Sequence, residues 1–198
     1  NVVVCVKTRE SRIIFSELGE MLFTHFGISG PLVLSASSHM RNWEKEAYRL
    51  SIDLKPGLSE QKLDARLLRD FEMCSNQNFE NLLGGLLPKK MISVVIDRVG
   101  ISGESKVHSI TREQRHKLLQ VLKNFEISIV GTRPIEEAII TAGGVSVNEI
   151  DPRTMASKKV SGLYFAGELM DVDAYTGGFN LQIAWATGKA AGEAAAAV

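Results

Sequence analysis

The hydrophobic pattern of the N-terminal part of the chain has the period of two that is typical of β-strands. Apolar residues dominate positions 2–6 and 13–15, and the polar stretch "KTRES" separates them, which predicts a β-hairpin. Residues 46–54, "EAYRLSIDL", alternate polar and apolar and predict a further strand. Between these regions Pro31 suits the first position of a helix that ends near His39.

The middle of the chain changes to helical spacing. Ser59 is a predicted helix N-cap, and Leu63, Leu67 and Phe71 then fall on one face of the helix that follows. Residues 78–101 predict two further helices separated by a Gly-Gly-Pro break.

A third helical region begins with a capping-box pattern. Thr111 is followed three residues later by Gln114, so each is expected to satisfy a backbone N–H of the other. The leucines predicted to face inward are Leu118, Leu119 and Leu122. A strand in "FEISIVGTRP" follows, and after Pro134 the pattern changes to short strands and glycine turns. The sequence therefore predicts a domain boundary near residues 133–142.

The C-terminal stretch "GLYFAGELMDVDAYTGGFN" predicts a buried strand at 162–165, an acidic corner, a Gly-Gly turn and a helix from about Phe179. Glycines before a helix expose unpaired backbone N–H groups, which suit an anion or an electron-rich carbonyl. Glu168 and Asp171 follow the strand, where carboxylates either accept hydrogen bonds from a ligand's hydroxyls or cap a turn. Both readings of the two carboxylates stay open.

Composition narrows the class of protein. The chain has 198 residues, a 44% hydrophobic fraction and equal numbers of basic and acidic side chains, 23 of each. Zero net charge argues against nucleic acid as the main partner. Two cysteines without a C-x-x-C pair favour a reducing, cytoplasmic setting, and no apolar run is long enough for a membrane span. Because the first residues are already β-rich and lack an initiator Met, we expect a piece of a longer polypeptide.

Several chemical motifs are absent from the sequence. The four histidines have no partner at metal-ligand spacing, so no metal site is predicted; they are His25, His39, His108 and His116. The two "GISG" stretches lack the Gly-x-Ser-x-Gly of a nucleophile elbow. "DVDAYTGG" has Thr176 where a calcium loop requires glycine.

Two long motifs resemble one family. "TAGGVSVNEIDPRTMASKKVSGLYFAGELMDVDAYTGGFNLQIAWATGKAAG" resembles the C-terminal signature of the YhiN-like (BaiN/RdsA) flavoproteins, and "GEMLFTHFGISGP" resembles a second signature of that family. The resemblance implies an α+β fold. Residues 1–138 would form a barrel-like insert domain that also contains helices and is truncated at its N-terminus. Residues 139–198 would supply the C-terminal strands and helix of a glutathione-reductase-like Rossmann domain that binds FAD.

The resemblance also implies residue roles. Glu168 would face the ribityl or pyrophosphate region of FAD, while His25 and Thr24 are weak candidates for the substrate side, with a structural role for His25 equally open. The full set of implied cofactor contacts is Gly143, Gly144, Gly167, Glu168, Asp171, Gly177, Gly178, Phe179 and Asn180.

The sequence departs from the family pattern at two points. Ala156 stands where the family has Glu, and no Gly-x-Gly-x-x-Gly occurs, so the loop for the ADP half of FAD is not in these residues. We expect a fragment of a FAD-dependent oxidoreductase that acts on a small organic substrate, with NAD(P)H as a further candidate partner, and that is inactive alone. The alternative function is a non-catalytic interaction module that retains the fold. A nucleic-acid-binding barrel is disfavoured by the zero net charge. Self-association through incomplete sheet edges is left open.

Overall fold

A computed structural model describes residues 1–41, 43 and 46–197 of the chain, which combine α-helices with an antiparallel sheet. The strands in this part are β1 Val2–Thr8, β2 Ile13–Gly19, β3 Leu22–Thr24, β4 Gly27–Ser29, β5 Tyr48–Asp53 and β6 Phe125–Ile129. The helices are α1 Pro31–Ser37, α2 Glu60–Met73, α3 Phe79–Gly84, α4 Lys89–Val99, α5 Arg112–Lys123 and α6 Phe179–Ala196. The helix at Pro31 is confirmed and ends two residues before His39.

Four strands form one antiparallel sheet in the order β2-β1-β5-β6. The predicted hairpin is confirmed, because β1 pairs with β2 along its length. Alternate side chains of β1 and β5 are fully buried, namely Val4, Val6, Leu50 and Ile52. The edge strands β2 and β6 do not pair with each other, so these four strands form an open sheet within the part that the resemblance identifies as a barrel-like insert domain.

The predicted helices of the middle region are confirmed. Ser59 Oγ accepts a hydrogen bond from the Lys62 N–H at 3.3 Å, and Leu63 and Leu67 are fully buried, whereas Phe71 is half-buried. Helices α3 and α4 flank the Gly-Gly-Pro break. No helix in the described part of the chain is long and apolar enough to cross a membrane.

The chain divides into two compact units that are not contiguous in sequence. Unit 1 comprises Asn1–Glu20 and Glu46–Ile129, and unit 2 comprises Met21–Lys45 and Val130–Val198. The hairpin β3–β4 and helix α1 thus belong with the C-terminal residues. The domain boundary between residues 138 and 139 concerns the family's domain organisation, and it stays a prediction.

The short strands predicted after Pro134 are wrong, because the last strand of the described residues is β6. Residues 162–165 form no strand, and Tyr164 makes only an isolated bridge to Ala156. Gly162 and Leu163 are exposed rather than buried. A strand exists only where a neighbouring strand pairs with it, and no strand of the described residues lies beside this segment. The apolar run is therefore held by single hydrogen bonds without a ladder, such as the one from Phe165 N–H to Met155 O at 2.9 Å.

Unit 2 is organised by a close approach of two backbones. Val145 N–H donates to Leu169 O at 2.8 Å, and Asp171 N–H donates to Val145 O at 2.9 Å. Gly144 makes the approach possible: it has a φ of +132°, and a Cβ there would lie 2.6 Å from Leu169 O. The buried residues beside this crossing are Ile150, Met155 and Met170, with Ile183, Ala190 and Ala191 of α6 packed against them.

The capping box of α5 generates a stability prediction. Thr111 Oγ1 accepts from Gln114 N–H at 3.2 Å, and Gln114 Oε1 accepts from Thr111 N–H at 2.9 Å. We expect Thr111→Ala to lower the free energy of unfolding by about 1 kcal/mol, because a helix N–H loses its partner. Thr111→Ser keeps the hydroxyl and is the control. Urea unfolding followed by circular dichroism tests this, and equal losses in the two variants would contradict it.

The crossing at Gly144 generates a second prediction. Gly144→Ala forces a Cβ against Leu169 O at a left-handed φ, so we expect local opening to become easier by about 3 kcal/mol. Native-state hydrogen exchange at the Val145 and Asp171 amides measures this. The control is Gly131→Ala, where a Cβ meets nothing within 4 Å. Equal exchange in both variants would show that the crossing does not need glycine.

Candidate functional site

The start of α6 leaves its backbone N–H groups without a protein cap. Gly177 and Gly178 have left-handed φ values of 115° and 90°, and Gly178 is the N-cap residue. No side chain caps this helix, and its first turn carries no acidic residue. Because the positive end of an 18-residue helix is left open, this turn suits an electron-rich or anionic group. The helix start predicted at Phe179 is confirmed, and the Phe179 side chain is exposed.

Asn180 shapes the turn that precedes the helix. Its Oδ1 accepts from Ala174 N–H at 2.9 Å, and its Nδ2 donates to Ala174 O at 2.8 Å. The side chain thus fixes the loop from 174 to 180 by two hydrogen bonds. Because the side chain of Asn180 is engaged in these two hydrogen bonds, the cofactor contact predicted from the resemblance would be made by its backbone.

Asp171 stabilises the other glycine turn. Its Oδ1 accepts from the Gly143 N–H at 3.1 Å, which is the turn-capping role considered for this carboxylate. Gly167 N–H donates to Thr187 Oγ1 at 3.0 Å, and that hydroxyl donates to Ile183 O at 2.7 Å, so Gly167 is tied to α6. Glu168 lies exposed in a 3₁₀ turn next to Gly167.

The hairpin β3–β4 places His25 and Thr24 in the same unit as the glycine turns. His25 lies in the two-residue turn, with its ring edge-on to Phe26 at 5.1 Å between centroids. The Arg133 guanidinium lies 5.0 Å from the Phe26 ring centroid. Thr24 Oγ1 is buried and has no hydrogen-bond partner among the described residues. An unpaired buried hydroxyl is costly, so this oxygen is available to a bound polar group.

Two contacts near the site were missed by the sequence reading. His39 Nε2 and Tyr175 Oη are 2.8 Å apart, and Arg41 pairs with the largely buried Asp173 at 3.5 Å. Both contacts join the segment after α1 to the loop that leads into Gly177. No local sequence signal reveals them, because the hydrogen-bonded pair is 136 residues apart.

The rest of α6 has exposed apolar side chains beside a few polar ones. None of its residues is fully buried, and Leu181 and Trp185 are 58% and 68% exposed. Within the described part of the chain, no three His, Cys, Asp or Glu side chains come together as a metal ion would need. The chemistry that this unit presents is therefore backbone N–H groups, one unpaired hydroxyl and an apolar surface.

Two family models match the chain. The HI0933-like protein barrel and H2TH domain matches residues 1–140, and the HI0933-like protein Rossmann domain matches residues 89–194. The two matches overlap, so they do not set a single boundary.

Curated relatives extend the comparison. The chain is 32% identical to the 3-dehydro-bile acid delta(4,6)-reductase of Clostridium scindens over 93% of its own length and 46% of the relative. It is 34% identical to the ribosomal RNA dihydrouridine synthase of Escherichia coli over 93% of its length and 44% of that protein. A similar match, 34% identical, covers 86% of the chain and 41% of the Haemophilus influenzae protein of the same name.

The chain thus spans less than half the length of the curated relatives that it matches. The barrel and H2TH model alone covers more than two thirds of the residues, and both models describe one family. The chain belongs to the HI0933-like family, the YhiN-like (BaiN/RdsA) proteins.

Proposed function

We propose that this chain is a portion of a FAD-dependent reductase and forms one wall of its flavin site. The observation that carries the proposal is the open N-terminus of α6 behind Gly177 and Gly178. Its N–H groups would hold the pyrimidine edge of the flavin, where negative charge collects on reduction. The order of the two family models supports the placement, because the barrel and H2TH model matches residues 1–140 and the Rossmann model extends to residue 194.

The residues fit the cofactor on one side. The orphaned Thr24 hydroxyl lies in the same unit, and Gly143 leaves open space where a side chain would stand. Glu168 is exposed and thus accessible to a ribityl or ribose hydroxyl. The ADP half would need a Gly-x-Gly-x-x-Gly loop, which these residues lack, so we expect the chain alone not to retain FAD.

The reaction class follows from the names of two relatives. A delta(4,6)-reductase and a dihydrouridine synthase both add hydrogen to a ring carbon–carbon double bond. Bound FAD would supply the hydride-transfer chemistry, with a reduced nicotinamide as the candidate donor. The chain's own task is to orient the cofactor and the substrate. Thr24 and His25 at the hairpin would contact a small organic substrate, and the exposed Phe26 offers it an apolar ring face.

A second candidate function is a non-catalytic interaction module that keeps the fold. The exposed apolar residues of α6 favour it, because such surfaces mark binding sites. The uncapped glycine turn weighs against it, since a surface that binds only protein does not need two left-handed glycines in succession.

A setting in the reducing cytoplasm is consistent with the free thiols Cys5 and Cys74.

The proposal predicts a loss of flavin binding in one variant. In the polypeptide encoded by the complete gene, Gly178→Val places a β-branched residue at a φ of 90° and disturbs the helix start. We expect FAD affinity to fall about tenfold or more, measured by flavin absorbance after desalting and by titration. Gly131→Val is the control, because its Cβ meets open space. Unchanged flavin content in Gly178→Val would remove the turn from the cofactor site.

An absorption spectrum of the 198-residue chain, before and after addition of FAD and desalting, tests the missing-half expectation. We expect a colourless protein that does not retain FAD. A retained flavin band would show that these residues bind the cofactor by themselves. Complete absence of flavin from the whole protein, under conditions where it is folded, would favour the interaction module.

A further inference from the structure

Two residues of unit 2 that the proposed function does not use form a hydrogen-bonded pair. His39 Nε2 lies 2.8 Å from Tyr175 Oη, with the two rings edge-on and their centroids 5.8 Å apart. Tyr175 comes two residues before Gly177, so its loop leads directly into the turn proposed to hold the flavin. Tyr175 is 37% exposed, and the pair is therefore accessible to a molecule bound at the turn.

The loop that carries Tyr175 is already held by other contacts. Asp173, whose side chain is only 9% exposed, pairs with Arg41 at 3.5 Å. Asn180 makes two hydrogen bonds to the backbone of Ala174. Because these contacts fix the residues just before Tyr175, a further tie through its hydroxyl is not needed to place the loop. The hydroxyl instead has the rigid surroundings that aim a side chain at a reacting atom.

The tautomer of His39 determines what the pair can do. With a proton on Nε2, the imidazole donates to Tyr175 Oη, and the hydroxyl's own proton then points away from the histidine. A phenol ordinarily keeps its proton at neutral pH, so it is ready to act as a general acid. The phenolate left after proton transfer accepts the same hydrogen bond from Nε2, which becomes charge-assisted and stronger. The pair thus has the parts of a supported proton donor.

Few other side chains of unit 2 are suited to donate a proton. Both cysteines, Cys5 and Cys74, lie in unit 1. Carboxylic acids have ordinarily lost their proton at neutral pH. His25 has the apolar ring of Phe26 edge-on beside it, which offers no hydrogen-bonded route for a proton. Tyr175 is distinguished from these groups by the imidazole that orients its hydroxyl.

We propose that Tyr175, oriented by His39, is the proton donor of the reductase, and that the substrate is a small ring ketone with a conjugated carbon–carbon double bond. The inference rests on the proposed function, in which the bound flavin supplies a hydride. The hydride adds to one carbon of the double bond, and the π electrons move to the other carbon and the conjugated carbonyl as an enolate. The Tyr175 O–H bond breaks as a C–H bond forms at that other carbon, and the phenolate regains a proton from water. The double bond is thereby reduced and the flavin oxidised, and a reduced nicotinamide restores the flavin.

The weak acidity of a phenol determines this substrate class. A tyrosine protonates carbon only where the negative charge is delocalised, and a conjugated carbonyl delocalises it as an enolate. The names of two relatives are consistent with the class, because a dehydro bile acid carries a ring ketone and uridine has a carbonyl conjugated with its ring double bond. The exposed apolar side chains of Phe179 and Leu181 and the zero net charge of the chain favour a small apolar ketone over RNA.

The experiment follows electron transfer from the flavin to the substrate separately from flavin binding. The protein encoded by the complete gene is loaded with FAD, its flavin content is measured by absorbance, and the flavin is reduced with dithionite in the absence of oxygen. The reduced protein is mixed with a steroidal dienone or with a short RNA that contains uridine, and flavin reoxidation is followed by stopped-flow absorbance. The variants are Tyr175→Phe, which removes only the hydroxyl, and Tyr164→Phe, a control at the other tyrosine of unit 2.

We expect Tyr175→Phe to hold as much flavin as the wild type and to slow its reoxidation by the dienone about a hundredfold or more, the usual contribution of a general acid. Tyr164→Phe should leave the rate nearly unchanged. Equal rates in the two variants overturn the role of Tyr175. Reoxidation of the wild type by the RNA alone, or by neither probe, overturns the substrate class. A wild type that binds no flavin overturns the proposed function and this inference with it.

The role of His39 as a positioning residue has its own test. His39→Ala should slow reoxidation by the dienone about tenfold, whereas His39→Gln, whose side-chain amide can donate to Tyr175 Oη, should recover most of the rate. Equal rates in these two variants would show that the hydrogen bond to the hydroxyl is not what matters. Nitrogen NMR of the histidine rings needs no turnover and reports which ring nitrogen carries the proton. A His39 Nε2 without a proton means that the hydroxyl donates to the ring and not to a substrate, which overturns the assignment.

Discussion

The backbone of Gly144 lies against the backbone of residues 169–171, and the organisation of unit 2 depends on this approach. A side chain at residue 144 would collide with Leu169 O, and the two hydrogen bonds through Val145 hold only because none is there. The crossing positions Met170 in the small core, and α6 packs on that core through Ile183. The turn proposed to hold the cofactor thus depends on a contact between backbones as well as on the hydrogen bonds of Asn180 to Ala174.

The two units differ in how many of their apolar side chains are buried. Unit 1 has fully buried side chains from the sheet and from its helices, such as Leu50, Phe79 and Leu118. Unit 2 has a core of few residues, and its longest helix has no fully buried residue. Since local stability follows buried apolar contacts, unit 2 should open more readily. A ligand that binds to such a unit makes it more rigid, and the proposed flavin would therefore be expected to stabilise unit 2.

Charged groups in unit 1 fall into two kinds. Lys123 donates to Asp53 at 2.5 Å and to the carbonyls of Lys55 and Leu58, so its buried ammonium has three partners. The same contacts fix the turn before α2. Lys62 is exposed and has no comparable set of partners among the described residues. The contrast shows that a buried cation of this unit is neutralised by the chain, whereas an exposed one is left to the solvent.

The sequence by itself determined the features that depend on neighbours within a few residues. The Ser59 cap, the capping box at Thr111 and the helix start at Phe179 follow from side chains and glycines within one helical turn. The family was also recognisable from two long motifs, because each motif is a long and specific order of residues. Site roles carried over from the family remain proposals.

Tertiary structure decided whatever depends on distant partners. Residues 162–165 have the composition of a strand, but no described strand pairs with them. The contact of His39 with Tyr175 and the membership of α1 in unit 2 were not readable in advance. For Asp171 the sequence left two roles open, and only the structure shows that it caps the Gly143 N–H. Hydrogen bonds and packing join residues that are far apart in the chain. A local sequence pattern does not show which distant residue will be the partner.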